Sequence, residues 1–208
     1  MDNDFNFSSM HFSVLQELGN IGSGNAITSL STMIGRKIDM SIPKVQLLDF
    51  DKVSQMIGGA ENPVAAILVN IISENINGIM MFVVEVSRTP VLLSALMQQE
   101  IKEELDEISI SALKEIGNIL TGSYLGALAT VLDTTIDMSI PHLTIDMAGS
   151  VLSVPAIEFA KVADKAIFIE SVFGNDLDGD SKDISGYFIL VPDQDSYKYI
   201  FNKLGLGV

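Results

Sequence analysis

Ser13-Val-Leu-Gln-Glu17-Leu-Gly-Asn20 returns 98 residues later as Ser111-Ala-Leu-Lys-Glu115-Ile-Gly-Asn118, and each copy runs without a gap to Ile-Asp-Met-Ser-Ile-Pro, ending at Pro43 and Pro141. Over Ser13–Pro43, 15 of 31 positions match the second copy. Such self-similarity governs how the rest of the chain is read, because a repeat defines the structural unit before any single element does. The copies share a Ser, a Glu, an Asn and a Pro together with glycines. A common fold alone would require only the apolar positions.

Working outward from the first copy, apolar residues recur at helical spacing from about His11 to Arg36. Gly19, Gly22 and Gly24 interrupt that helix, each at a cost of about 1 kcal/mol relative to Ala, which points to close approach by another backbone or to a bend. Lys37–Asp49 reads as a strand that Pro43 confines to a sheet edge or a bulge. Lys52–Gly58 reads as a short helix, Val64–Ser73 and Ile76–Val86 as a hairpin of long strands, and Thr89-Pro90 as the start of a helix reaching about Leu105. The second half repeats the plan: a helix over about Ile108–Leu132, a strand over Thr135–Ile145, a helix over Met147–Lys161 that is longer than its counterpart, strands over Ala166–Phe173 and Ile184–Val191, and a terminal helix over Ser196–Leu204.

The expected fold is α/β: pseudo-two-fold duplicated α-β-α-β-β-α halves forming one mostly antiparallel six-stranded sheet with helices. The expected organisation is a single domain over residues 1–208, made of repeats at approximately 10–105 and 108–205. Two separate domains are the poorer solution, since about 100 residues with three strands enclose a thin core.

Composition narrows the function classes. Of the 208 residues 48% are hydrophobic and 19% charged, a globular balance, and the formal net charge is −15. That charge disfavours nucleic acid and anionic membrane surfaces, both of which require Lys and Arg. With no cysteine, disulfides and thiolate metal sites are excluded. The N-terminal residues lack a basic region followed by an apolar stretch, and no apolar run is long enough to span a bilayer as a helix. A cytoplasmic location is expected.

Ser13, Glu17 and Asn20 are spaced by four and three, so on a helix they share one stripe, as do Ser111, Glu115 and Asn118. The apolar residues Leu15, Leu18, Gly22 and Met33, and in the second copy Leu113, Ile116, Leu120 and Val131, are placed opposite. The polar stripe therefore faces solvent or a partner. A carboxylate there can pair with a lysine or polarise water, and a carboxamide can orient a water without titrating. No phosphate cradle, metal set or nucleophile accompanies them, so the rest of any active site must come from a partner. The competing reading of an exposed Glu-x-x-Asn is a solvated helix face, and chemistry alone leaves both open.

Other signals carry less. Gly22-Ser-Gly24 lacks a third glycine and a preceding strand, which argues against a dinucleotide loop. Asp176-Leu-Asp178-Gly-Asp180 has Ser181 and Tyr187 where a calcium loop needs Gly and Glu, and reads better as an acidic hairpin tip. His11 and His142 are not at ligand spacing.

The pattern [Asp/Ser]-x3-Glu-x2-Asn-x22-Pro resembles the signature of the CheC/CheX/FliY group of bacterial chemotaxis phosphatases, and it is complete twice here: Ser13, Glu17, Asn20 and Pro43, then Ser111, Glu115, Asn118 and Pro141. Two intact motifs over essentially the whole chain look like the CheC branch. CheX is similar with one motif, and FliY carries a further domain. The resemblance implies hydrolysis of the aspartyl phosphate of the response regulator CheY-P. Asn20 and Asn118 would orient the attacking water, and Glu17 and Glu115 would pair with the regulator's lysine. Ser13, Pro43, Ser111 and Pro141 would support the motif. No cofactor of its own is implied, the Mg²⁺ belonging to the regulator. It also implies binding of the deamidase CheD near the second half's longer helix, with Asp146 as contact, and a monomer. The alternatives are a non-catalytic module that regulates CheD and a structural component of the flagellar switch.

Overall fold

The computed structural model describes residues 9–35, 37, 39–101, 105–159, 165–174 and 184–205. The first half contributes α1 (Ser9–Ile34), β1 (Asp39–Met40), β2 (Lys44–Asp49), α2 (Phe50–Met56), β3 (Pro63–Ile72), β4 (Gly78–Glu85) and α3 (Thr89–Met97). The second contributes α4 (Glu107–Leu132), β5 (Asp137–Met138), β6 (His142–Met147), α5 (Ala148–Phe159), β7 (Lys165–Gly174), β8 (Ile184–Pro192) and α6 (Gln194–Lys203). The loop at 176–183 and its acidic residues lie outside the described residues.

All strand pairs are antiparallel, and the eight segments occupy six rows in the order β1/β2, β7, β8, β4, β3, β5/β6. The edge rows are exchanged. β1 and β2 of the first half pair with β7 of the second, while β5 and β6 of the second pair with β3 of the first. At the centre β4 meets β8, with Phe82 opposite Phe188. Each half's outer strand thus completes the other half's hairpin, and the duplicated layout expected from the repeat is the one found.

Helices cover both sheet faces, which is why β3, β4 and β8 read as nearly continuous apolar runs instead of alternating. One face packs Ala65, Ile67, Met80, Phe82, Ile167 and Phe188 against α1, α3, α4 and α6; the other packs Val64, Ala66, Met81, Val83, Phe168 and Ile189 against α2 and α5.

Helices α1 and α4 lie against each other. A Cβ on Gly22 would enter the Tyr124 ring, and Tyr124 OH shares hydrogen bonds with Ser23 Oγ (2.6 Å) and Ser171 Oγ (3.2 Å). Burial pushes the Tyr124 hydroxyl above its ordinary pKa, against the lowering effect of both serines. The close approach expected at the glycines is therefore made by side chains. Gly19 faces Val45, whereas Gly24 faces open space.

Three expectations need correction. The strand expected over Lys37–Asp49 is broken, as is that over Thr135–Ile145. The helix expected to reach Leu105 ends at Met97, because Gln98 turns left-handed with φ 57°. Met33 and Val131, assigned to the core stripe, are exposed, and the buried face is carried there by Leu30 and Leu132 instead.

Candidate functional site

Each edge row breaks at the same tripeptide. Three residues, Ser41–Pro43, pass opposite only Ser171 and Val172, so the pairing between β1 and β2 slips by one residue; Ser139–Pro141 do the same opposite Val69 and Asn70. These are β-bulges, in which an extra residue leaves the ladder. The serine stitches the gap. Ser41 N–H donates to Val172 O (2.8 Å) and Ser41 Oγ accepts from Val172 N–H (3.2 Å); Ser139 pairs likewise with Asn70, at 2.9 Å in both directions. Proline suits the following position, where no ladder donor is needed. The isoleucine between them is pushed outward, leaving Ile42 80% and Ile140 91% exposed.

The bulge lies beside the polar stripe. In the first copy Gln16 bridges helix and strand: its Nε2 donates to Pro43 O (2.6 Å) and to Asn20 Oδ1 (3.2 Å), and its Oε1 accepts from Val45 N–H (3.3 Å). Pro43 is buried against α1 at Gly19. Ser13, Glu17 and Asn20 are exposed, with Ser13 Oγ donating back to Ser9 O at 3.0 Å. In the second copy Ser111 and Glu115 are exposed while Asn118 is half-buried, and its Oδ1, shut off from solvent, meets no donor among the described residues. Pro141 is half-buried, and Lys114 stands at the position of Gln16. Met10 and Ile108, at matching places one turn before Ser13 and Ser111, are both exposed. Asp106 caps α4 by accepting from Ser109 N–H (2.8 Å), and its carboxyl is held below the ordinary value by hydrogen bonds from Ser109, side chain first and then backbone.

The first stripe is thus presented to solvent on a long helix packed on the sheet, and the second exposes Ser111 and Glu115 while Asn118 is half-buried. Each offers one carboxylate and one carboxamide, and in the first copy the bulge that carries Ile42 is tied to the same helix through Gln16. Among the described residues no three His, Asp or Glu side chains gather as a metal site, and no helix is long and apolar enough to cross a membrane. Asp146 is elsewhere, exposed on β6, with its Oδ1 accepting from Met147 N–H (2.7 Å). Gln16, Ser41, Ser139 and the two isoleucines were not singled out by residue chemistry. The repeated Ser-Ile-Pro was the available signal for the last four.

A duplicated sheet with exchanged edges and two such helices defines a fold class shared with solved flagellar and chemotaxis proteins. FliY of Thermotoga maritima matches with a TM-score of 0.72 over 96% of this chain and 98% of its own, at 24% sequence identity. A family model described as the CheC-like family matches residues 10–47 and 108–145, the two helix-plus-edge units. The CheY-P phosphatase CheC of Bacillus subtilis (strain 168) is 33% identical over 202 residues, covering 94% of each chain, and the flagellar motor switch phosphatase FliY of that organism is 32% identical over 139 residues, covering 65% of this chain and 36% of its own. The chain belongs to the CheC-like family.

Proposed function

We propose that the chain is a chemotaxis phosphatase that hydrolyses the aspartyl phosphate of a CheY-type response regulator. The observation that carries this reading is the twofold placement of a Glu and an Asn one turn apart on helices anchored to the sheet, with Glu17, Asn20 and Glu115 exposed and Asn118 half-buried. The full-length similarity to a protein named CheY-P phosphatase supports it.

In this reading each helix inserts its stripe into the regulator's site. Glu17 or Glu115 pairs with the regulator's lysine and fixes the docked pose. The Asn20 or Asn118 carboxamide holds a water in line with the phosphorus; because it does not titrate, its contribution is orientation, which lowers the entropic part of the barrier. Water oxygen bonds to phosphorus as the phosphorus–aspartyl oxygen bond breaks, the water proton passes to the phosphate, and inorganic phosphate and the regulator's carboxylate are released. The Mg²⁺ belongs to the regulator. The outward Ile42 and Ile140 give the partner an apolar contact.

The test is phosphate release from the phosphorylated regulator by the wild type and by Asn20→Ala/Asn118→Ala. The double variant is expected to fall to the regulator's own decay, a loss of about a hundredfold or more. Equal release by both proteins would overturn the reading.

A second binding role, toward the deamidase CheD, is favoured by a separate surface. Asp146 is flanked by exposed Ile145 and Met147 on β6, with Val154 and Ile157 exposed on the following α5. Asp146→Lys is expected to abolish co-purification with CheD and leave phosphate release in its absence intact; undiminished CheD capture would remove Asp146 from that surface.

A further inference from the structure

We propose that Gln16 is a positioning residue that sets the Asn20 carboxamide in one orientation, and that the two sites are for this reason unequally pre-organised. The inference rests on the catalytic reading above. A glutamine side chain has two N–H donors and one carbonyl, and all three have assigned partners here: Pro43 O at 2.6 Å, Asn20 Oδ1 at 3.2 Å and Val45 N–H at 3.3 Å.

The strand decides which way Gln16 points. Rotating its amide by 180° would set Oε1 against the Pro43 carbonyl and turn the NH₂ group toward the Val45 N–H, so both strand contacts would become repulsive. With Gln16 fixed, an N–H is aimed at Asn20, and Asn20 must offer its oxygen to it. The Asn20 NH₂ is then turned away from Gln16, and the carbonyl keeps its second lone pair for a water. Asn20 is the exposed end of a hydrogen-bonded chain that begins in the backbone of β2.

The second site lacks this device. Lys114 has no carbonyl with which to accept from the strand, and Asn118 Oδ1 is buried without a donor among the described residues. Among the described residues no donor to Oδ1 holds the Asn118 carboxamide in one orientation. The cost of selecting one is met within the bound complex, on the way to the transition state. A pre-set group contributes to the rate in the bound complex and not to encounter, so loss of Gln16 should appear in kcat and leave KM in place.

The experiment isolates the first site with Asn118→Ala and compares this protein with Asn118→Ala/Gln16→Met and Asn118→Ala/Gln16→Glu. Steady-state phosphate release from a receiver-domain regulator phosphorylated by a small-molecule phosphodonor gives kcat and KM separately. Met keeps the volume and removes all three hydrogen bonds; Glu keeps the acceptor for Val45 and removes both donors. Both variants are expected to lower kcat by about tenfold, the worth of one or two neutral hydrogen bonds, with KM within about twofold. As a readout independent of the partner, the Gln16 side-chain NH₂ protons in the free protein are expected to exchange more slowly than those of exposed Gln99.

A kcat within twofold of the parent in both variants would overturn the assignment, as would a change confined to KM. Should Asn118→Ala itself be no more active than Asn20→Ala/Asn118→Ala, the first site is not catalytic and the inference falls with it. That failure shows in the parent protein, whereas failure of the inference alone shows only in the Gln16 variants.

Discussion

At the scale of single residues, the contact between Gly22 and Tyr124 governs how closely the two site-bearing helices approach. Helix propensity would favour Ala at position 22 by about 1 kcal/mol. Here the new methyl would enter the Tyr124 ring, which is buried and tied to Ser23 and Ser171. Overpacking of this kind costs about 1–3 kcal/mol, so Gly22→Ala is expected to be a net destabilisation, read as a lower urea midpoint with an unchanged slope. Tyr124→Phe removes only the hydroxyl and is expected to cost about 1 kcal/mol. The polar stripe was legible from its four-and-three spacing, which predicted the exposure of Ser13, Glu17, Asn20, Ser111 and Glu115 but not the half-burial of Asn118. Gln16 was not. Its role depends on β2 lying beside α1, and that neighbour is set by pairing with a strand more than a hundred residues further along.

At the scale of elements, the bulged edge rows do the positioning. Ser139→Ala would leave the Asn70 N–H without its acceptor, at a cost of about 1 kcal/mol, and faster hydrogen exchange at Asn70 than in the wild type would report it. Ile140→Asp changes a fully outward side chain, so stability should shift by no more than about 0.5 kcal/mol; in the Asn20→Ala background KM is expected to rise with kcat retained. The bulges were half visible in the sequence. Pro43 announced an edge or a bulge, but Ile-Asp-Met-Ser-Ile has the composition of an unbroken strand, and the extra residue shows only in the register. Helix α3 misled for a similar reason: Gln98 and its successors suit a helix, yet the chain turns at Gln98.

Helix α4 also carries a pH signature. The folded Asp106 carboxyl lies below its ordinary value of 3.8. Its stabilising contribution is therefore complete above that value and fades as the pH falls through the folded pKa. Asp106→Asn is expected to melt below the wild type at neutral pH, with the gap closing progressively once the pH drops below 3.8. A gap that widened in acid would contradict the cap.

For the whole molecule, the exchanged edges mean that neither half has a complete sheet of its own. Residues 1–105 retain the hairpin β3–β4 but lose β5 and β6 from its flank, and β1 and β2 lose β7. The full chain is expected to unfold in one cooperative step, with calorimetric and van't Hoff enthalpies in agreement. A fragment of residues 1–105 is expected to show no cooperative transition until residues 106–208 are added. The repeat made two like halves legible. Which strand sits beside which could not be read, since either half's hairpin offers the same apolar rim to either edge strand.

Among the described residues the sheet also has two open rims, each a row of backbone groups with no further strand to pair with. A flat rim of such length invites another chain to add on and is a common start for aggregation. Here neither rim offers a continuous ladder, because a bulge and a proline interrupt each one after two residues. Removing Ile42 and replacing Pro43 would straighten residues 39–49 into a single sticky edge. The irregularity that lifts an isoleucine toward a partner also keeps copies of the chain from stacking rim to rim.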